Sequence, residues 1–139
     1  ARINEYSDFD RLIDIVDEFP ETEFVLTHMV DGNEHDLLEA ALRPNVWFDT
    51  SIVVSGHAAL LAVNEPSWQD DERFVAIVAK VGARRFLFGS DHPWGAAAAD
   101  LARFLAMPLD DADKRMILGT NALGLFLRAT GADREKMPR

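Results

Sequence analysis

Apolar positions recur along the chain with two different periods, and the alternation between them predicts the architecture. Phe9, Leu12, Ile13, Val16 and Phe19 fall at helical spacing. Ser7 stands where an N-cap belongs and Pro20 where the run must stop, which predicts a helix over 8–19. The run EFVLTH at 23–28 is too short for a helix and reads as a buried strand. Asp31-Gly32 marks a turn. Asn33 then caps a helix over 34–43 with Leu37, Leu38, Ala41 and Leu42 on one face. VWFDTS at 46–51 is a second strand. Residues 52–66 carry two readings: 52–54 extends the strand, while 58–63 fits a helical turn or two. Pro66-Ser67 opens a helix over 68–81 that ends at Gly82. RFLFG at 85–89 is the third strand, and 96–106 is a helix closed by Pro108. Asp110 caps the last helical region with Asp113 three positions on, and Gly119 interrupts it before 121–129. The polar tail from Gly131 should fray.

Helices and strands alternate, which predicts an α/β fold with a parallel sheet and right-handed crossovers. The strands are near-continuously apolar, as expected where both faces of a sheet are covered. The 139 residues, 48% of them hydrophobic, suffice for a single domain with its own core. No internal repeat, low-complexity stretch or interior linker divides it.

Charge narrows the partners. A formal charge of −10 and a pI near 4.7 should repel nucleic acid and anionic lipid. With no cysteine, disulfides, thiolate ligands and a cysteine nucleophile are excluded. No apolar run reaches the roughly 18 residues of a membrane span, and no signal peptide is visible. The expected compartment is the cytoplasm.

In parallel α/β folds chemistry collects at the carboxyl ends of the strands. The first strand ends in His28, the second in Asp49-Thr50-Ser51 and the third in Ser90-Asp91-His92. Parallel strands bring all three sets to one rim. Each residue also has a plainer reading. His28 can be a hydrogen-bonded histidine, Asp91 can cap the turn that follows it, and Asp49 is better suited to binding loop amides than to chemistry. His92, next to Asp91, is a weaker candidate ligand. His35 and His57 read as ordinary surface or loop residues, and Trp47 and Trp94 as packing residues.

These segments resemble the C-terminal part of the amidohydrolase-related (amidohydrolase 2) family of metal-dependent hydrolases and decarboxylases. EFPETEFVLTHM at 18–29 is similar to the family's sixth-strand segment, NVWFDTS at 45–51 to its seventh and ARRFLFGSDHPWG at 83–95 to its eighth, with the Gly-Ser-Asp-x-Pro element the most specific. ILGTNALGLF at 117–126 resembles the final helix. The resemblance implies the C-terminal portion of a TIM-type (β/α)8 barrel, holding about three of the eight strands, with 1–139 one segment. It implies that Asp91 is a metal ligand or the base acting on a hydrolytic water. It implies that His28 polarises substrate or helps to activate water. The cofactor would be a divalent metal, zinc by expectation, in the completed barrel.

Two departures qualify this. The family's first-strand His-x-His pair occurs nowhere in the sequence, and a fifth-strand histidine is also missing. The sequence HMVDG stands where many relatives follow the histidine with a small residue and glycine. A catalytic zinc needs about three protein ligands, so this stretch alone is expected to hold none. The expected activity is cleavage of a C–C, C–O or C–N bond in a small carboxylated substrate, once the missing strands are supplied. The alternative is a non-catalytic truncated relative acting as an assembly module. Partners follow from the open sheet: a complementary N-terminal half, or a second copy of the chain.

Overall fold

A computed structural model describes residues 8–31, 33–51, 53, 71–93 and 95–131. Ser7, Gly32, most of 52–66 with His57, the first turn of the predicted 68–81 helix, Trp94 and the tail beyond 131 lie outside the described residues.

Helix α1, Phe9–Glu18, is capped by Asp8, whose side chain accepts from the backbone of Asp10. Strand β1 is Phe24–Leu26, and helix α2, Glu34–Ala40, starts at Asn33, whose side chain accepts from His35 and Asp36. Strand β2 is Val46–Asp49. Helix α3, Asp71–Val81, is followed by Gly82 at φ 94°, a conformation that costs glycine little. Strand β3 is Phe86–Leu87 and helix α4 is Ala97–Ala106. Helix α5, Asp111–Arg115, carries the expected Asp110 cap onto the Asp113 amide. Gly119 does not break the chain direction: a π-turn, Met116–Thr120, runs on into helix α6, Asn121–Thr130.

The strands lie in the order β1-β2-β3, all parallel, with Val25 beside Trp47 and Phe48 beside Phe86. One face of the sheet carries Val46, Phe48 and Phe86, all fully buried. It packs on α3 and α4 through a chain of rings: Phe48 to Phe86 at 5.7 Å, Phe86 to Phe74 at 6.3 Å and Phe74 to Phe104 at 6.2 Å between centroids. The other face is less covered. Val25 is 40% exposed, and Trp47 is shielded by Arg128 of α6, 5.2 Å over its ring, with Glu23 accepting from both side chains.

Strand β3 is shorter than the 85–89 expected. Ala83–Arg85 form a 3-10 turn, and the buried Asn121 side chain donates to the carbonyls of Ala83 and Phe86. The Phe88 amide then bonds Ile117 of the π-turn. The last helical region therefore takes backbone groups that an extended strand would offer to a neighbour.

Candidate active site

His28 follows β1 by two residues, Asp49 to Ser51 close β2, and Gly89 to Asp91 follow β3. Because the strands are parallel, all three groups leave the same end of the sheet. Neighbouring strands run about 4.8 Å apart, so β1 and β3 emerge at this rim roughly 10 Å from one another.

Backbone conformation singles out the same places. Among the described residues the non-glycine positions with positive φ are His28 at 55°, Met29 at 48°, Val30 at 58° and Asp91 at 53°. Three of them form one turn, His28–Asp31, immediately after β1. A left-handed conformation costs an L-residue roughly 1–2 kcal/mol, and more care is needed to hold a β-branched valine there. The chain thus carries Met and Val in a turn where the resemblance expects a small residue and glycine.

Asp49 holds this turn in place. Its Oδ1 accepts from the His28 backbone N–H at 3.2 Å, from the Ser51 N–H at 2.9 Å and from the Ser51 hydroxyl. The carboxylate binds loop amides, as its plainer reading expected. The His28 ring Nδ1 lies 2.9 Å from Ser51 Oγ and 3.3 Å from the Ser51 carbonyl oxygen. Thr50 and Ser51 are buried, and Thr50 Oγ1 accepts from the Gly89 amide at 3.3 Å, tying the ends of β2 and β3. A Cβ on Gly89 would stand 3.2 Å from the Ser51 Cβ, a tight contact that Ser51 would have to yield to by a few tenths of an ångström.

The stretch after β3 closes tightly. The Gly95 amide donates to the Asp91 carbonyl at 2.9 Å, and a Cβ on Gly95 would sit 1.7 Å from the Ser90 oxygen. The Gly95–Asp91 closure therefore holds Asp91 at the rim in a conformation few residues adopt freely. His92 and His35 are exposed; the His35 backbone N–H donates to the Asn33 side chain, and its ring Nδ1 lies 3.3 Å from Asp36 Oδ1. Ser51 is the site residue that the sequence does not reveal as a partner of His28. Its position two places after Asp49 is the only signal.

A pocket of about 350 Å³ lies at the other end of the sheet, lined by Trp47, Arg84, Arg85 and Arg128 among others. Burial, and then the neighbouring Arg84, push the Arg85 pKa down, while its guanidinium donates to the carbonyls of Pro44 and Arg43. This is the amino-terminal end of the strands, which in such folds carries stability rather than chemistry.

Among the described residues no three imidazole or carboxylate groups gather as a metal would require. Asp91 and His28 are donors of the right kind for a divalent ion, and they are two where a catalytic zinc takes about three.

The profile of the family described as Amidohydrolase matches residues 5–128. The chain belongs to the amidohydrolase family. No curated protein sequence matches this amidohydrolase chain significantly. Solved structures do. The 5-carboxyvanillate decarboxylase of Sphingomonas paucimobilis is 18% identical with a TM-score of 0.60, over 81% of this chain and 36% of its own. The 2,6-dihydroxybenzoate decarboxylase from Rhizobium is 21% identical with a TM-score of 0.58, over 83% and 38%. The dihydroxybenzoic acid decarboxylase from Polaromonas sp. JS666, solved with manganese and the inhibitor 2-nitroresorcinol, is 18% identical with a TM-score of 0.61, over 89% and 39%. At these identities the likeness is one of fold. This amidohydrolase chain spans well under half the length of those structures, and its three parallel strands with flanking helices are the C-terminal portion of a TIM-type barrel.

Proposed function

We propose that residues 1–139 form one segment of an amidohydrolase-type barrel in the cytoplasm that cleaves a C–C, C–O or C–N bond of a small carboxylated substrate. The observation that carries this reading is the strain at the rim. His28 and Asp91, in the turns that follow two different strands, both hold positive φ beside the polar end of β2. Left-handed residues of this kind persist where surrounding contacts over-determine them, and they cluster at working sites. The decarboxylase identity of the similar structures favours C–C cleavage of a carboxylated ring within this class.

Asp91 would hold a divalent ion, with the remaining ligands drawn from strands outside these three. Zinc is the expectation, and manganese, present in one similar structure, is the competing choice. The ion when bound supplies Lewis-acid polarisation and a water of lowered pKa. The chain's own part is to place a carboxylate at Asp91 and an imidazole at His28 on one rim, where either can move a proton to or from a bound substrate. The acidic surface keeps nucleic acid and anionic membranes away from it.

The test is Asp91→Asn in an enzyme carrying the complete barrel. Turnover should fall by at least about a thousandfold, in line with loss of a metal ligand or general base, while the circular dichroism spectrum is kept. Full activity in that variant would overturn the assignment.

A further inference from the structure

We infer that Asp49 and Ser51 are positioning residues that hold the His28 imidazole in the Nδ1–H tautomer, leaving its Nε2 lone pair to the rim. The assignment follows from counting protons. The Asp49 carboxylate can only accept, so the hydrogen between it and Ser51 Oγ is the serine's own, and Ser51 is the donor. A serine hydroxyl has one proton. Once that proton points at Asp49, Ser51 Oγ can only accept from the ring nitrogen 2.9 Å away. The second neighbour of Nδ1 is the Ser51 carbonyl at 3.3 Å, which also only accepts. Two acceptors therefore face one ring nitrogen, and Nδ1 carries the hydrogen. In a neutral ring Nε2 then keeps its lone pair, and it bonds to no other described group.

The same carboxylate oxygen holds the His28 backbone N–H at 3.2 Å. Asp49 thus restrains both the main chain of His28, at φ 55°, and through Ser51 the orientation of its ring. Gly89 completes the arrangement, since a side chain there would press on Ser51 Cβ at 3.2 Å. A tautomer chosen before substrate arrives costs nothing to select during reaction. Of the two parts the resemblance allows a histidine here, polarising substrate or helping to activate water, a neutral Nδ1–H ring is suited to the second, because Nε2 accepts and does not donate.

The catalytic meaning of this tautomer rests on the proposed function, but the tautomer itself is read without turnover. The experiment is two-bond 1H–15N correlation of the histidine rings in the 15N-labelled chain at alkaline pH, where imidazoles are neutral, with His28→Gln assigning the His28 signals. The wild type should show His28 mainly as Nδ1–H. In Ser51→Ala, which keeps the backbone carbonyl but removes the hydroxyl, the Nδ1–H to Nε2–H ratio should fall about three- to tenfold, the worth of one net hydrogen bond. A wild-type ring that is mainly Nε2–H, or a Ser51→Ala ratio equal to the wild type, would overturn the inference. If Ser51→Ala fails to fold, the wild-type tautomer decides alone.

Discussion

Val30 is the most demanding of the residues at the rim, a half-buried β-branched side chain at φ 58° with its amide bonded to Thr27 O at 3.1 Å. In ordinary backbone a change to glycine costs more than a change to alanine, because glycine gives up more freedom on folding. At φ 58° the order should reverse. Alanine keeps the Cβ that clashes in the left-handed region, and glycine does not. Val30→Gly is therefore expected to be more stable than Val30→Ala by about 1 kcal/mol, measured by urea denaturation with equal m-values. Glycine below alanine would mean that the turn after β1 is relaxed in solution. Gly95 makes the opposite demand. An alanine there would place Cβ 1.7 Å from the Ser90 oxygen, so Gly95→Ala must open the loop that carries Asp91. Its cost should exceed the roughly 1–3 kcal/mol of ordinary overpacking, and the amide at position 95, which donates to the Asp91 carbonyl, should lose hydrogen-exchange protection.

At the scale of elements, local patterns determine the helices and long-range competition determines the strands. Asn33, Asp8 and Asp110 cap helices that periodicity alone places within a few residues, since capping and amphipathic spacing act over one or two turns. Strand β3 is not legible to its end, because the carbonyl that takes the Phe88 amide belongs to Ile117 in the π-turn, far along the chain. Ser51 is invisible as a partner of His28 for the same reason: 23 residues separate them, and only the parallel register brings them together. Asp91 and His28 are legible as candidates because strand ends and the Gly-Ser-Asp-x-Pro element announce them, whereas their left-handed backbone is not written in residue type.

Charge pairing between helices yields a pH prediction at this scale. Glu34 at the start of α2 accepts from Lys80 at 2.7 Å and from Arg73 at 3.2 Å, both on α3. The Lys80 hydrogen bond, against some burial and aided by Arg73, holds its pKa below the ordinary 4.5. A carboxyl whose pKa is lower in the folded state stabilises the fold above its ordinary value. That contribution disappears as pH falls through the folded value. Glu34→Gln should therefore flatten the fall in stability on the acid side of pH 4.5 and leave the shape near neutrality unchanged, as followed by thermal melts across pH. An acid limb with the same slope in both proteins would show that the α2–α3 pairing is not maintained in solution.

At the scale of the whole molecule, the sheet has two edges and one half-covered face. Among the described residues β1 and β3 each pair on one side only, and Val25 and Trp47 stand on the face away from α3 and α4. In a closed barrel that face would look into a packed interior, and both edges would be paired. Open edges bind whatever strand fits, so a second copy of the chain or a complementary N-terminal half, if supplied, would compete for them. Charge separates the two. Each copy carries −10, so self-association works against repulsion that salt relieves. A complementary half with the missing strands buries the same edges and adds apolar side chains against Val25. Supplying such a half in trans should therefore raise the melting temperature, slow amide exchange along β1 and give a one-to-one complex by light scattering at low salt. The chain alone should instead associate more as ionic strength rises. If the complementary half leaves melting and exchange unchanged while the chain forms a salt-insensitive dimer, these edges serve self-assembly, and the truncated-relative reading replaces the catalytic one.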